Sequence, residues 1–284
     1  MGPSASTGWS KKLPSLALLA AMVGVLGVCV WLFGGPLGLG LAVLGLVLLW
    51  THRFSAFGPR AKLGWAIYLS PSMAPGLYHT LEDLSQAAHL EQAPKLYLDP
   101  QFEPNAYTLP TQSFYALVLT RGLLESLSPE EVQAVMAHEV AHVKNQDLSI
   151  LYLAEQMGRI VLALSRWGFW LFLFALPLFV FGTWAIPWVG MTVLLLAPRL
   201  FFRLLFAFSR SREFLADQGA VDLTRNPKAL ARALGKISRF VSSLRPNFPA
   251  PVPKLWQTHP SLEERIYRLN RTCGLLAEQT APWP

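Results

Sequence analysis

His138-Glu139-Val140-Ala141-His142 sets two imidazoles four residues apart with a carboxylate beside the first. On a helix, residues i and i+4 share a face, so the two rings converge on one point. Two neutral imidazoles suit a zinc ion, and Glu139 can lean over the position that such an ion leaves open. There the carboxylate takes a proton from a water whose pKa the metal has lowered. The plainer alternative is a pair of surface histidines on an amphipathic helix.

A zinc held in this way needs a third protein ligand while one position stays free for water. Downstream, the run SRSREFLADQGAV (209–221) puts Glu213 and Asp217 on one helical face. Glu213 is the expected third ligand. Asp217 is then placed to accept a hydrogen bond from a ligating histidine, fixing its tautomer. On a merely solvated helix the same two acids would pair with Arg210 or Arg212. One Zn2+ per chain is the expected cofactor.

The element that carries the histidines is strongly signalled. Ser128 is a natural N-cap, Pro129 fits the first helical position, and Glu131 completes a capping box. Val132, Val135, Met136, Val140 and Val143 then recur at helical spacing with no glycine or proline among them.

Around this helix the chain is unusually apolar. Of 284 residues, 52% are hydrophobic and 14% charged, which excludes an ordinary soluble protein and points to a bilayer. The net charge of +7 forms no nucleic-acid-like basic run, so no nucleic-acid partner is expected. Cys29 and Cys273 are too few and too far apart for a disulfide framework or a zinc knuckle.

The apolar stretches come in two pairs. Leu13 to Phe33 is about twenty residues, long enough to cross a bilayer. A turn at Gly34-Gly35-Pro36 follows, then a shorter stretch from Leu37 to Trp50, whose tryptophan suits an interface. A signal peptide would need a small-residue cleavage site that does not follow. The second block, Ile160 to Phe202, is interrupted by Pro177 and breaks at 183–187, giving two spans at roughly 161–182 and 186–202. Between the blocks, Leu77 to Leu90 reads as an amphipathic helix. Lys95–Leu98 and Phe114–Thr120 read as strands, and Pro104–Pro110 as a turn-rich connection.

The expected fold is therefore mainly α with a small β-sheet and two transmembrane helical hairpins. It divides into a membrane hairpin (1–55), a catalytic part with the strands and the histidine helix (56–159), a second hairpin (160–203) and a helical part with the third ligand (204–284). Lys11, Lys12, Arg53, Arg60, Arg159, Arg166, Arg199 and Arg203 all fall on one side of such hairpins, and the two turns carry no charge. By the positive-inside rule both termini and the zinc-binding parts face the cytoplasm.

Four segments occur in order, with the apolar pairs before and between them: PNAY (104–107), TRGLLESLSPEEVQAVMAHEVAHVKNQD (120–147), SRSREFLAD (209–217) and THPSLEERI (258–266). Together they resemble the HtpX-like membrane zinc metalloproteases, a gluzincin branch related to the CAAX prenyl proteases, over about Lys95 to Leu269. The chain has too few spans for the chambered prenyl proteases themselves. The resemblance implies an integral-membrane gluzincin in a bacterial-type inner (plasma) membrane. It implies cytoplasm-facing endopeptidase activity on membrane proteins, often in quality control under stress. The partners it implies are protein substrates and the lipid bilayer; it implies no oligomeric state.

The resemblance also implies that Asn105 and the nearby strand hold the substrate backbone. An extended peptide can add to a sheet edge, and an Asn amide both donates and accepts. A Pro-Asn turn residue is the plainer reading. In one departure, the resembled proteins usually follow PNA-aromatic with a small residue and a glycine, whereas Thr108-Leu109-Pro110 stands here. His259, Arg210 and Arg212 are eligible to steady an oxyanion. His259 equally fits a residue that fixes the start of the last helix, which Ser261 and Glu264 would cap. Two rival functions share these features: a processing protease for one maturing substrate, and a non-catalytic scaffold with a structural zinc that His259 could close.

Overall fold

The computed structural model describes residues 6–51, 63, 65–111, 113–182, 188–244 and 261–280. Eight helices and four strands lie among them, so the chain is mostly helical with one small mixed sheet. The described residues fall into two compact units. The first takes in 6–51, 149–182 and 188–211, and the second the remainder.

The first unit is built from helices α1 (Ser6–Thr51), most of α5 (Asp147–Phe181) and the first part of α6 (Trp188–Thr224). Three helices here are long and apolar enough to cross a membrane. Helix α1 is broken at Gly35, whose φ of 53° and ψ of −144° are open to glycine but strained for other residues. Eight residues of straight helix span about 12 Å. Yet a Cβ on Gly38 would lie 3.1 Å from the Val30 carbonyl oxygen, so the chain doubles back at the break.

Small residues also bring α5 and α6 together. Gly158 lies against Phe201, and Gly168 against Leu194, so the two helices run antiparallel. Met22, Leu26, Met157, Val161, Phe201 and Phe208 are buried between the helices. The outward side chains are also large and apolar, with Phe174, Phe181 and Val189 at least 78% exposed. Such a surface suits hydrocarbon, not water. The second apolar block departs from the expected short spans. Helix α5 begins at Asp147, directly after the histidine helix, and carries Pro177 within its last turns; α6 runs on well past residue 202. The turn expected at 183–187 lies outside the described residues.

The second unit packs helices on a four-stranded sheet of order β1-β2-β4-β3. Its strands are β1 (Ile67–Tyr68), β2 (Lys95–Asp99), β3 (Ala106–Pro110) and β4 (Tyr115–Thr120). Strand β4 pairs parallel with β2 and antiparallel with β3, and its residues from Ala116 to Thr120 are all buried. Strand β3 corrects the turn-rich connection expected at Pro104–Pro110. Tyr and Thr favour a pleated strand, and Pro110 is tolerated because β3 lies at the sheet edge. Helix α2 (Pro75–Ala87) starts and stops earlier than its apolar pattern suggests, with Pro75 in its first turn.

Helix α3 (Arg121–Ser126) leads from β4 into α4 (Pro129–Lys144), the histidine helix. The expected capping box is present: Glu131 N–H donates to Ser128 Oγ, and Ser128 N–H donates to Glu131 Oε2 at 2.9 Å. Lys236 Nζ on α7 (Pro227–Leu244) donates to the same Oε2 at 2.7 Å, tying the start of α4 to a second helix. Val132, Val135, Met136, Val140 and Val143 are all buried, with Val140 and Met136 fully so. Helix α8 (Leu262–Thr280) begins as expected, with Ser261 Oγ accepting from Glu264 N–H at 3.2 Å.

Candidate metal centre

The i, i+4 spacing on α4 brings His138 Nε2 and His142 Nε2 to 3.1 Å. Helix α6 supplies Glu213, whose carboxylate oxygens stand 3.5 Å from His138 Nε2 and 3.8 Å from His142 Nε2. One ligand atom from each of the three lies within 4.8 Å of the others. A tetrahedral zinc with bonds of 2.0–2.1 Å sets two ligand atoms about 3.3 Å apart, so this cluster has the right dimensions.

The outer ring nitrogens are engaged by acids. His138 Nδ1 is 3.1 Å from Asp217 Oδ1, and His142 Nδ1 is 2.7 Å from Asp147 Oδ2. With both Nδ1–H groups donated outward, the two Nε2 lone pairs face one another. That arrangement is repulsive unless a cation or a proton lies between them. The donor set thus fits a zinc ion, with carboxylate–histidine pairs on both rings.

Each acid is held in turn by an arginine. Arg212 pairs with the fully buried Asp147 and donates from Nη2 to the Asn145 carbonyl at 3.2 Å. Arg265, from α8, grips Asp217 through Nε at 2.8 Å and Nη2 at 2.6 Å, and its Nη1 reaches Glu213 Oε2 at 3.2 Å. Burial alone would push the His138 imidazole down, but its bonds to Asp217 and Glu213 outweigh that and raise it to about 9. Burial would raise Asp217, yet His138 and Arg265 hold it below the ordinary carboxylate range.

The carboxylate of Glu139 is buried next to this cluster, and Thr108 Oγ1 on β3 donates to its Oε2 at 2.8 Å. Asn105 has an exposed side chain. Its backbone is fixed: Asn105 N–H donates to Thr120 Oγ1 at 2.8 Å, and Thr120 N–H donates to the Asn105 carbonyl at 3.0 Å.

Of the residues singled out by sequence, His138, Glu139, His142, Glu213 and Asp217 are brought together. The guanidinium of Arg212 is paired with Asp147. Arg210 falls in the first unit, and His259 lies outside the described residues.

Residues 71–273 match Peptidase family M48. The chain belongs to that family. Among its curated relatives is a "Protease HtpX homolog" from Syntrophobacter fumaroxidans, 31% identical over 91% of this chain and 98% of the relative. Another of the same description, from Burkholderia thailandensis, is 32% identical over 92% of this chain and 95% of its own length. A third, from Desulforapulum autotrophicum, is 30% identical over 91% and 89%. A solved structure, S. mikatae Ste24p, aligns with 94% of this chain and 66% of its own at 19% identity, with a TM-score of 0.47.

As an M48 protein, the chain is a metalloprotease that hydrolyses peptide bonds, and its three long apolar helices associate it with a membrane. M48 enzymes are in general zinc-dependent, and the His–His–Glu group is compatible with that metal.

Sequence reasoning missed three neighbours of this centre: Asp147, Arg265 and Thr108. Asp147 had a local signal, an acid five residues beyond His142. Gln146, with a φ of 55°, turns the chain there so that the acid comes back to the ring. Arg265 sits between Leu262, Ile266 and Leu269 on the apolar stripe of α8, and a charge in such a stripe marks a buried partner. Thr108 could not be paired with Glu139 while β3 was read as a turn.

Proposed function

We propose that this protein is an integral-membrane zinc endopeptidase that cuts misfolded or surplus membrane proteins from the cytoplasmic side of a bacterial-type inner membrane. The observation that carries this reading is the convergence of His138, His142 and Glu213 beside the buried carboxylate of Glu139. His138, His142 and Glu213 hold the metal, with Asp217 and Asp147 orienting the two rings. When bound, zinc supplies a Lewis acid that polarises the scissile carbonyl and makes water acidic enough to be deprotonated near neutral pH.

Glu139 does the proton work. Its carboxylate takes a proton from the attacking water as the O–C bond forms, and delivers it to the amine nitrogen as the C–N bond breaks. Asn105 and the edge of β3 hold the substrate as an added strand, with main-chain hydrogen bonds setting its register. Arg265, close to Glu213 and His138, balances the acids around the centre.

The reversal of α1 at Gly35 and the antiparallel contact of α5 with α6 support a reading as two membrane hairpins. With Lys11, Lys12, Arg159, Arg166, Arg199 and Arg203 on one side of the apolar runs and no charge in the turns, the catalytic parts are assigned to the cytoplasmic face. Substrates then present loops and unfolded segments on that side.

The test uses detergent-purified protein, native and Glu139→Gln, assayed on casein and on a destabilised membrane protein with and without added zinc. The expected result is zinc-dependent cleavage of both by the native chain. Glu139→Gln should lose it by about 10²- to 10⁴-fold with the metal still bound. Equal behaviour of the two proteins would turn the site into a structural one and the chain into a scaffold. Cleavage of a single maturing substrate and not of casein would make it a processing protease.

A further inference from the structure

Among the described residues, the carboxylate of Glu139 has one hydrogen-bond donor, the hydroxyl of Thr108. Both side chains are buried, Thr108 at 4% and Glu139 at 9% exposure, so water competes weakly for the bond. The donor is rigid. Thr108 lies opposite Leu117 in the β3–β4 pairing, and a β-branched side chain on a paired strand has few rotamers open to it. The acceptor, by contrast, is a glutamate with three rotatable bonds on a different element, α4. Nothing in α4 itself fixes which oxygen it presents. The bond is 2.8 Å long, an ordinary strong O–H···O distance.

We propose that Thr108 is a positioning residue for Glu139: its hydroxyl occupies Oε2 and so presents Oε1 as the oxygen that receives and returns the proton. This rests on the protease reading above. In the step it serves, a water proton passes to Oε1 as the water oxygen bonds the carbonyl carbon. The same proton leaves Oε1 for the amine nitrogen as the C–N bond breaks. The carboxylate ends as it began. Thr108 exchanges no proton, so its effect belongs to turnover and not to substrate capture.

The test compares native protein with Thr108→Val, which keeps the shape and removes the hydroxyl, and Thr108→Ser, which keeps the hydroxyl. Zinc content is measured alongside kcat and KM on a fluorogenic casein-derived peptide. Thr108→Val should lower kcat about tenfold with KM and zinc content unchanged, and Thr108→Ser should recover kcat to within about twofold. A second readout needs no activity. In metal-free protein, the Tm losses of Thr108→Val and Glu139→Ala should be non-additive in the double variant.

Native kcat in Thr108→Val, a rise in KM alone, failure of serine to restore turnover, or additive Tm losses would each overturn the proposal while the protease reading stands. A native chain that cleaves neither casein nor the peptide in zinc removes the protease reading and the proposal with it.

Discussion

Gly219 stands so close to Ala141 that a Cβ on the glycine would lie 2.7 Å from the alanine methyl. This contact seats α6 on α4 next to His142, and α6 also carries Glu213 and Asp217. The third ligand and the acid behind His138 are thus placed by a close approach of two helices that only the smallest side chains permit. Gly219→Ala must push the helices apart. An overpacked core of this kind costs about 1–3 kcal/mol. A lowered Tm together with weaker zinc binding, measured by competition with a chelator, is the expected outcome. A lowered Tm with native zinc affinity would show that this contact does not place Glu213.

Asp147 is buried between His142 and Arg212, and acts on the metal only through the imidazole. Asp147→Asn keeps the shape but removes the charge that makes His142 a better ligand. Zinc affinity should fall about 10- to 100-fold. Asp147→Ala goes further, because it leaves the Arg212 guanidinium buried without its carboxylate. Breaking such a pair costs about 3–5 kcal/mol, so this variant should lose stability even in saturating zinc. Denaturation in detergent with and without zinc separates the two effects.

The metal-free protein should lose stability as the pH rises. His138 in the folded chain titrates at about 9, above its ordinary 6.5, so its proton stabilises the fold. That contribution is complete below about 6.5 and is lost as the pH climbs through about 9. Asp217 works in the opposite direction. Its folded pKa is depressed, so its contribution is present above the ordinary 3.8 and is lost as the pH falls through the lowered value. Zinc must displace the His138 proton, so its apparent affinity should rise about tenfold per pH unit until about 9. Tm scans of the apo protein and chelator competition over that range read both effects. A flat affinity profile would mean that His138 binds no proton there.

The histidine helix was legible because its information is local. Ser128, Pro129 and Glu131 define its start within four residues, and His138, Glu139 and His142 share one face by spacing alone. Glu213 and Asp217 share a face by the same local spacing, but only the histidine motif upstream singled them out from a solvated helix face. The residues that complete the centre carried weaker signals, since Arg265 and Thr108 meet their partners across long stretches of chain. Strand β3 was hidden by its own punctuation. Pro104 and Pro110 read as turn residues, and only the sheet order reveals an edge position that tolerates them. Helix α5 was cut too short because its first turns are polar, although Asp147 starts it directly after α4.

Strand β3 has β4 on one flank and no described strand on the other. A bare strand flank reads main chain, and main chain is the same in every protein. On the function proposed above, a peptide that docks there is selected by how often it lies extended, and hardly by its side chains. Each ~1.4 kcal/mol of local folding stability in a client lowers that exposed fraction tenfold. On that reading a well-folded neighbour is spared by its own thermodynamics, and damage, by loosening a segment, writes the address at which it is cut.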